Sequence, residues 1–357
     1  MLGTHAPVGL TRRDTIVFVS VTALAAIAVV FWAADVSPVL VFAGAGVAVA
    51  GLAWVLGVAT EETGEVAGPR LSALLNATFG NAAELIIVVL AIRAGLVDVA
   101  KASIIGSVLG NMLLILGASL FVSGFRHGRQ SFEPKLAGVN AAMLGLAAAS
   151  IGLPTLFAAT HPQDTGALGV SEGIAVIMLV VYAAYIYASL RSPSAQPTPE
   201  QRGTARWSLR LSMTVLALSA LGTGFLSEIL VEAIEPTIRE TGISRVFIGL
   251  IVIPLIGNIA EHLAAVRLAW LNQLDFAMGI AFNSALQVAL AVSAIAVFAG
   301  VFTGQSVTLV FTALEIALLV AASVIAGFVA LSGTANWIEG VQLLSLYVIA
   351  GILFWYA

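Results

Sequence analysis

The sequence contains no cysteine and very little charge. Only 10% of its 357 residues are charged and 60% are hydrophobic, whereas about 25% of the residues in a soluble domain are charged. The absence of cysteine excludes disulfides, thiolate metal sites and cysteine nucleophiles. The sequence has no run of basic residues that would indicate a nucleic-acid partner. Residues 276–314 carry no charge at all, and a membrane helix needs roughly 20 apolar residues. The composition therefore predicts a protein embedded in a lipid bilayer.

Hydrophobic runs predict eleven transmembrane helices, so the expected fold is an all-α polytopic membrane protein. The predicted spans are 15–34, 37–59, 70–94, 98–124, 136–159, 172–190, 207–231, 244–270, 274–301, 306–331 and 339–356. The first span is long enough to cross a bilayer and is not followed by a clear small-residue cleavage site, so we do not expect a signal peptide. The longest polar segment, 191–206, contains three prolines and separates the two halves.

Lysine and arginine are distributed unequally between the two sets of predicted loops. With the N-terminus inside, 11 of the 15 basic residues fall on the inner side and 4 on the outer side. Cytoplasmic loops carry an excess of Lys and Arg. The bias predicts a cytoplasmic N-terminus and linker, and a C-terminus on the opposite side.

A motif occurs twice in the chain. The third span reads GNAAELIIVV from Gly80, and the eighth reads GNIAEHLAAV from Gly257, an offset of 177 residues. The same offset pairs Asp98 with Asp275 and Ser107 with Ser284. Because the copies begin five spans apart, they should cross the membrane in opposite directions. Inverted repeats with a midplane binding site are typical of secondary transporters.

The repeat suggests a division of the chain into four parts. These are an N-terminal segment with the first helix (1–36), a first five-helix repeat (37–190), a cytoplasmic linker (191–206) and a second, inverted five-helix repeat (207–357).

Each copy carries one carboxylate within an apolar span. Glu84 and Glu261 would each cost about 2.5–3.5 kcal/mol at the bilayer centre, so such residues normally face a cavity or a partner. Asn81 and Asn258 precede them by three residues, a spacing that places both side chains on one helix face. We predict that the two glutamates bind the transported cation and couple it to protons.

The next span of each copy offers further oxygen ligands. Ser107 and Asn111 are four residues apart, and Ser284 and Gln287 three. Ca2+ takes 6–8 oxygen ligands from carboxylates, amides, carbonyls and water, so this set suits a hard divalent cation. The asparagines could instead join helices, and the serines could simply allow close packing.

Two other residues are weaker candidates. His262 follows Glu261 directly, about 100° around the helix, and could be a neighbouring group, a proton relay or a packing residue. Glu315 lies in the tenth span without a repeat partner, and could be a relay or pair with an arginine.

At these motifs the sequence resembles the calcium/proton exchanger family of the calcium/cation antiporter superfamily. The family's first block resembles LLNATFGNAAELI (Leu74–Ile86), the following block KASIIGSVLGNMLLILG (Lys101–Gly117), and the second-repeat block FIGLIVIPLIGNIAEH (Phe247–His262). The resemblance implies an N-terminal helix plus two inverted five-helix repeats. It assigns the essential acidic residues to Glu84 and Glu261, and the polar ligands to Asn81, Asn258, Ser107, Ser284, Gln287 and Asn111.

The sequence departs from the family in two places. Asn283 stands where the family has glycine, which could alter selectivity or helix packing. The linker has Glu200 as its only acidic residue, so regulation through the acidic helix found in some relatives is not expected.

We therefore expect a non-enzymatic antiporter that exports Ca2+ in exchange for H+, without a cofactor, in a prokaryotic inner membrane. Its partners would be the lipid bilayer and the two ions, and the sequence leaves the oligomeric state open. The alternatives are a Na+/Ca2+ or other cation antiporter and, in a different class, a cation channel. An intramembrane metalloprotease is disfavoured because the four histidines are scattered and form no H-E-x-x-H motif.

Overall fold

A computed structural model describes residues 9–161, 166–191 and 206–356, and these residues are almost entirely helical. The α-helices are α1 Arg12–Ala33, α2 Pro38–Ala67, α3 Pro69–Phe79, α4 Ala82–Arg93, α5 Val97–Leu109, α6 Leu116–His127, α7 Pro134–Thr160, α8 Ala167–Arg191, α9 Leu209–Glu232, α10 Ile234–Thr241, α11 Arg245–Phe247, α12 Ile253–Gly257, α13 Ile259–Trp270, α14 Leu274–Leu286, α15 Ser293–Thr303, α16 Ala313–Ser332 and α17 Trp337–Trp355. Three π-helical segments, Gly110–Ile115, Ile248–Val252 and Gln287–Val292, continue neighbouring helices. Two short strands, β1 Gln130–Ser131 and β2 Thr334–Ala335, pair antiparallel.

The length and apolar character of the helices confirm the predicted membrane fold. Among the described residues, ten helical spans are long and apolar enough to cross a bilayer. Some of them join consecutive helices: Leu74–Arg93 contains part of α3 and all of α4, and Val97–His127 contains α5, a π-helical segment and α6. The segments Arg245–Gly257 and Ile259–Trp270 bend by 61° at Asn258, and give an eleventh span if they are taken as one. The eleven spans predicted from hydrophobic runs correspond to these ten spans and the bent pair.

The tenth span begins later than its hydrophobic run predicts. The expected start was residue 306, but α16 starts at Ala313. The preceding apolar residues are not helical because side chains of other helices bind their backbone. Leu309 N donates to Ser171 Oγ at 2.9 Å, and Phe311 N donates to Thr155 Oγ1 at 2.9 Å. These hydrogen bonds satisfy backbone N–H groups that would otherwise need partners within a helix.

The described residues form two compact units. The first consists of the described residues within Met1–Ile87 and Tyr182–Gly242, and the second of those within Val88–Val181 and Ile243–Ala357. In the first unit, α2 packs along α9, with α1 and α3 against α2. In the second, α6 packs on α17, α7 on α16, and α5 on the π-helical segment Ile248–Val252.

The sequence repeat reappears in the backbone. Helices α4 and α13, helices α5 and α14, and the π-helical segments Gly110–Ile115 and Gln287–Val292 form three pairs whose first and last residues all differ by 177. Even the left-handed residue before the second helix of each copy is repeated, with φ of 77° at Gly95 and 62° at Asn272. The two copies therefore share their local structure as well as their motif. The four-part division of the chain stays a prediction.

The orientation in the membrane is testable with tags. We expect tags at the N-terminus and within residues 192–205 to be cytoplasmic, because the Lys and Arg bias places them there. A C-terminal tag should report the opposite side. The measurement is protease accessibility of each tag in right-side-out and inside-out vesicles. A C-terminus on the same side as the N-terminus would imply an even number of spans and would break the inverted repeat.

Candidate functional site

The first copy of the repeated motif lies where a helix is interrupted. Helix α3 ends at Phe79, Gly80 and Asn81 form a turn, and α4 begins at Ala82. Glu84 therefore occupies the first turn of α4, where the partial positive charge of a helix N-terminus favours a carboxylate. Glu84 is only 1% exposed and Asn81 2%. The break thus holds a buried carboxylate and a buried amide close together in the chain.

The second copy is built in the same way. Helix α12 contains Pro254 and ends at Gly257, Asn258 caps α13, and Glu261 occupies the first turn of that helix. Asn258 is fully buried, and Glu261 is half-buried. Proline removes a backbone donor and weakens helix continuity, so the local sequence explains the bend.

Four of the six predicted neutral ligands form two hydrogen-bonded pairs within the second unit. Asn258 Nδ2 donates to Ser107 Oγ at 3.1 Å, and Asn111 Nδ2 donates to Ser284 Oγ at 2.8 Å. All four side chains are buried. Each pair joins an asparagine of one sequence repeat to a serine of the other.

These pairs determine which atoms of the amides remain available. Because each amide nitrogen is engaged by a hydroxyl, the carbonyl oxygen Oδ1 points in another direction. Neither Asn111 Oδ1 nor Asn258 Oδ1 accepts a hydrogen bond from any described residue, although both atoms are buried. A buried, unsatisfied acceptor costs about 1–3 kcal/mol, and a bound cation would remove that cost.

The two π-helical segments adjoin the pairs. Asn111 is the second residue of Gly110–Ile115, and Gln287 is the first of Gln287–Val292. π-helical turns are rare and occur frequently at functional sites, because they insert a residue into a helix. Hydrophobic periodicity did not predict them.

His262 and Glu315, the two weaker candidates, lie in different environments. His262 is half-buried beside Glu261, and its Nε2 has no partner in the described part of the chain. Glu315 is part of a capping box at the start of α16. Its Oε2 accepts from Thr312 N and from Thr312 Oγ1, both at 2.8 Å, while Glu315 N donates back to Thr312 Oγ1. This cap accounts for the position of a buried acid there, and the relay role of Glu315 stays a prediction.

One face of α5 is sealed by close backbone contact, which we call the glycine seam. It consists of Val99, Gly106, Gly249 and Leu250. A β-carbon on Gly106 would overlap the carbonyl of Leu250, and one on Gly249 would lie 2.8 Å from the carbonyl of Val99. Only glycine permits such an approach.

The equivalent face of α14 is open. In the second copy of the repeat, 177 positions later, Phe276 corresponds to Val99 and Asn283 corresponds to Gly106. Val99 is fully buried, whereas Phe276 is 58% exposed and Asn283 is also exposed. Two faces of related sequence therefore have opposite environments in one structure.

Comparison with known proteins identifies the family. A profile described as "Sodium/calcium exchanger protein" matches residues 37–191 and 211–356. The Ca(2+)/H(+) antiporter of Synechocystis sp. is 36% identical over 340 residues, which cover 88% of this chain and 91% of that protein. The Ca(2+)/H(+) antiporter ChaA of Bacillus subtilis is 36% identical over 322 residues, covering 88% and 92%.

Solved structures agree. Native YfkE matches with a TM-score of 0.83 and 34% identity, covering 96% of this chain and all of that chain. An H+/Ca2+ exchanger, CAX, matches with a TM-score of 0.74 at 18% identity, covering 95% and 88%, a level that supports the fold alone. The predicted family resemblance is thereby confirmed. The chain belongs to the sodium/calcium exchanger protein family, and within it to the calcium/proton exchangers.

Proposed function

We propose that this chain is a secondary antiporter that exports Ca2+ in exchange for H+. The observation that carries the proposal is the Asn-x-x-Glu motif that occurs at a helix break in both sequence repeats, with its glutamate in the first turn of the following helix. The names of the relatives that are 36% identical, both Ca(2+)/H(+) antiporters, support the same ions.

The proposed ion site uses carboxylate, amide and hydroxyl oxygens. Glu84 and Glu261 would supply charge, and the neutral ligands would come from Asn81, Asn258, Ser107, Ser284, Asn111 and Gln287. Two carboxylates carry a charge of −2, which one Ca2+ or two protons neutralise. The empty, doubly charged site would be costly in an apolar environment. Occupancy by one ligand or the other therefore favours exchange over leak. The two unsatisfied amide oxygens support the choice of a cation.

We further propose that the protein works by alternating access. The glycine seam closes one face of α5, while the equivalent face of α14 is exposed. With the predicted topology, the seam lies toward the outside and the open face toward the cytoplasm. This asymmetry is what an inverted repeat would adopt when one side of a transporter is closed and the other open. Export from the cytoplasm across a prokaryotic inner membrane is part of the same proposal.

The seam gives a test of alternating access. We expect Gly106→Ala to destabilise the closed seam by about 1–3 kcal/mol, because the added methyl overlaps the Leu250 carbonyl. That corresponds to roughly a 5- to 150-fold change in the population of the closed state. The absence of cysteine allows a single Val99→Cys to report on the seam by its alkylation rate, which Gly106→Ala should increase.

The matched control for this test is Gly145→Ala on α7. A β-carbon at Gly145 meets no atom within 4 Å, so the alkylation rate of Cys at position 99 should not change. An unchanged rate in the Gly106→Ala variant, with unchanged transport, would rule out a gating role for the seam.

Reconstituted vesicles distinguish the proposed function from its rivals. Vesicles with an acidic interior should take up radiolabelled Ca2+, and a protonophore should abolish the uptake. Uptake that requires a Na+ gradient and ignores the pH gradient would identify a Na+/Ca2+ antiporter, the rival favoured by the wider family's description. Single-channel currents would indicate a channel.

A further inference from the structure

Two buried carboxylates of the first unit hold the last residue of the linker and the residue that follows it. Glu62 on α2 accepts hydrogen bonds from Arg206 N at 2.8 Å, Arg206 Nε at 2.7 Å and Trp207 N at 3.1 Å. Asp14 on α1 pairs with Arg206 Nη1 at 3.2 Å. We call Asp14, Glu62 and Arg206 the clasp. Two of its bonds are to backbone N–H groups, so it fixes the course of the chain as well as the position of a side chain.

Charge stabilises the clasp. Burial lowers the pKa of Arg206, but the hydrogen bond and charge of Glu62, together with Asp14, outweigh this and raise the pKa above its ordinary value. Arg206 thus stays charged throughout the physiological range. Glu62 and Asp14 are 5% and 8% exposed, whereas the Arg206 side chain is 43% exposed. Loss of Arg206 would leave two buried carboxylates without their charged partner, which destabilises the folded protein.

The clasp places Trp207 in the interior of the first unit. Trp207 is fully buried and meets Phe18 of α1 edge-on, with 5.5 Å between ring centroids. It belongs to a hydrophobic cluster with Leu56, Ala59, Ala82 and Leu216. An indole buries a large apolar area with few rotatable bonds, so it can define the position of the groups around it.

The same cluster includes residues on both sides of the break that precedes Glu84. Phe79, the last residue of α3, packs against the cluster, and Ala82, the first residue of α4, belongs to it. Only Gly80 and Asn81 lie between them. Ala82 is two residues before Glu84. At a break in a helix, packing on the two flanking segments determines the angle between them.

We propose that Trp207, held by the clasp, is a positioning residue for the ion site: it fixes the break at Gly80–Asn81 and so orients Asn81 and Glu84. The proposal rests on the proposed function, because it assigns Glu84 to ion binding. The sequence gives no sign of this role, since Trp207 lies 123 positions after Glu84 and outside both motifs.

The test compares Ca2+ binding by tryptophan variants of the purified full-length protein. Outer residues that orient metal ligands typically contribute 10–100-fold to metal affinity, so Trp207→Ala should weaken equilibrium binding of radiolabelled Ca2+ about tenfold or more. Trp207→Phe keeps an aromatic ring and should restore most of the affinity. In transport, the loss should appear mainly in KM for Ca2+ rather than in the maximal rate.

Trp32→Ala is the matched control. Trp32 lies on α1 of the same unit, meets Phe225 edge-on with 6.4 Å between ring centroids, and donates to Glu232. Its loss should lower the melting temperature without changing Ca2+ affinity. Should Trp207→Ala not fold, Glu62→Gln replaces it, and we expect weaker Ca2+ binding there too. Wild-type affinity in folded Trp207→Ala or Glu62→Gln, or an equal loss in Trp32→Ala, would overturn the proposal. Wild-type protein that binds no Ca2+ would instead overturn the proposed function.

Discussion

Replacement of either Glu84 or Glu261 by glutamine is expected to abolish proton-coupled Ca2+ exchange, with a fall of at least about 100-fold in initial rate. Glutamine keeps the size of the side chain but removes its charge and its titratable oxygen. One carboxylate cannot balance the two charges of Ca2+, and the affinity of a Ca2+ site depends strongly on the number of charged ligands. The measurement is Ca2+ flux in vesicles under an imposed pH gradient.

The control for this pair is Glu240→Gln. Glu240 is exposed at the end of α10 and accepts a hydrogen bond from Ser37 at 2.9 Å. Loss of its charge should leave flux within about twofold of wild type, because an exposed surface charge contributes little to stability and Glu240 lies outside the proposed ion site. Robust proton-coupled flux in Glu84→Gln or Glu261→Gln would remove that residue from the proposed site.

The membrane fold and the internal repeat could both be predicted from the sequence, the first from composition and the second from a recurring motif. Scarcity of charge was enough to place the chain in a membrane, since a water-facing surface needs charges that this sequence does not have. The internal repeat was readable because polar residues recurred in one register among apolar residues that match by chance. The coincident bounds of α4 and α13 show that this register was right to the residue.

Features that depend on tertiary contacts could not be predicted. The extended course before α16 arises from the hydroxyls of Thr155 and Ser171, which come from other helices. The pairing of Asn258 with Ser107, and the position of Trp207, likewise depend on residues far apart in sequence. Hydrophobic pattern carries no information on such pairs.

We expect Ca2+ and protons to compete for the same oxygens of the proposed site. A protonated carboxyl is neutral and a poor Ca2+ ligand, because metal ligands must be deprotonated to bind. Lowering the pH therefore raises the apparent Kd for Ca2+, and raising the pH lowers it. If both Glu84 and Glu261 give up a proton on binding, the Kd should rise about 100-fold for each unit of pH below their titration range, and about tenfold if only one does.

Calorimetry measures this coupling directly. Titration of the purified protein with Ca2+ in buffers of different ionisation enthalpy gives the number of protons released per ion, which should be between one and two at acidic pH. Glu84→Gln leaves a single titratable carboxylate in the proposed site, so any remaining binding should release at most one proton. Glu240→Gln should release as many as wild type. Ca2+ binding that is independent of pH and releases no protons would show that Ca2+ and protons do not share these oxygens. Transport of Ca2+ would then have to be coupled to something other than the protonation of Glu84 and Glu261.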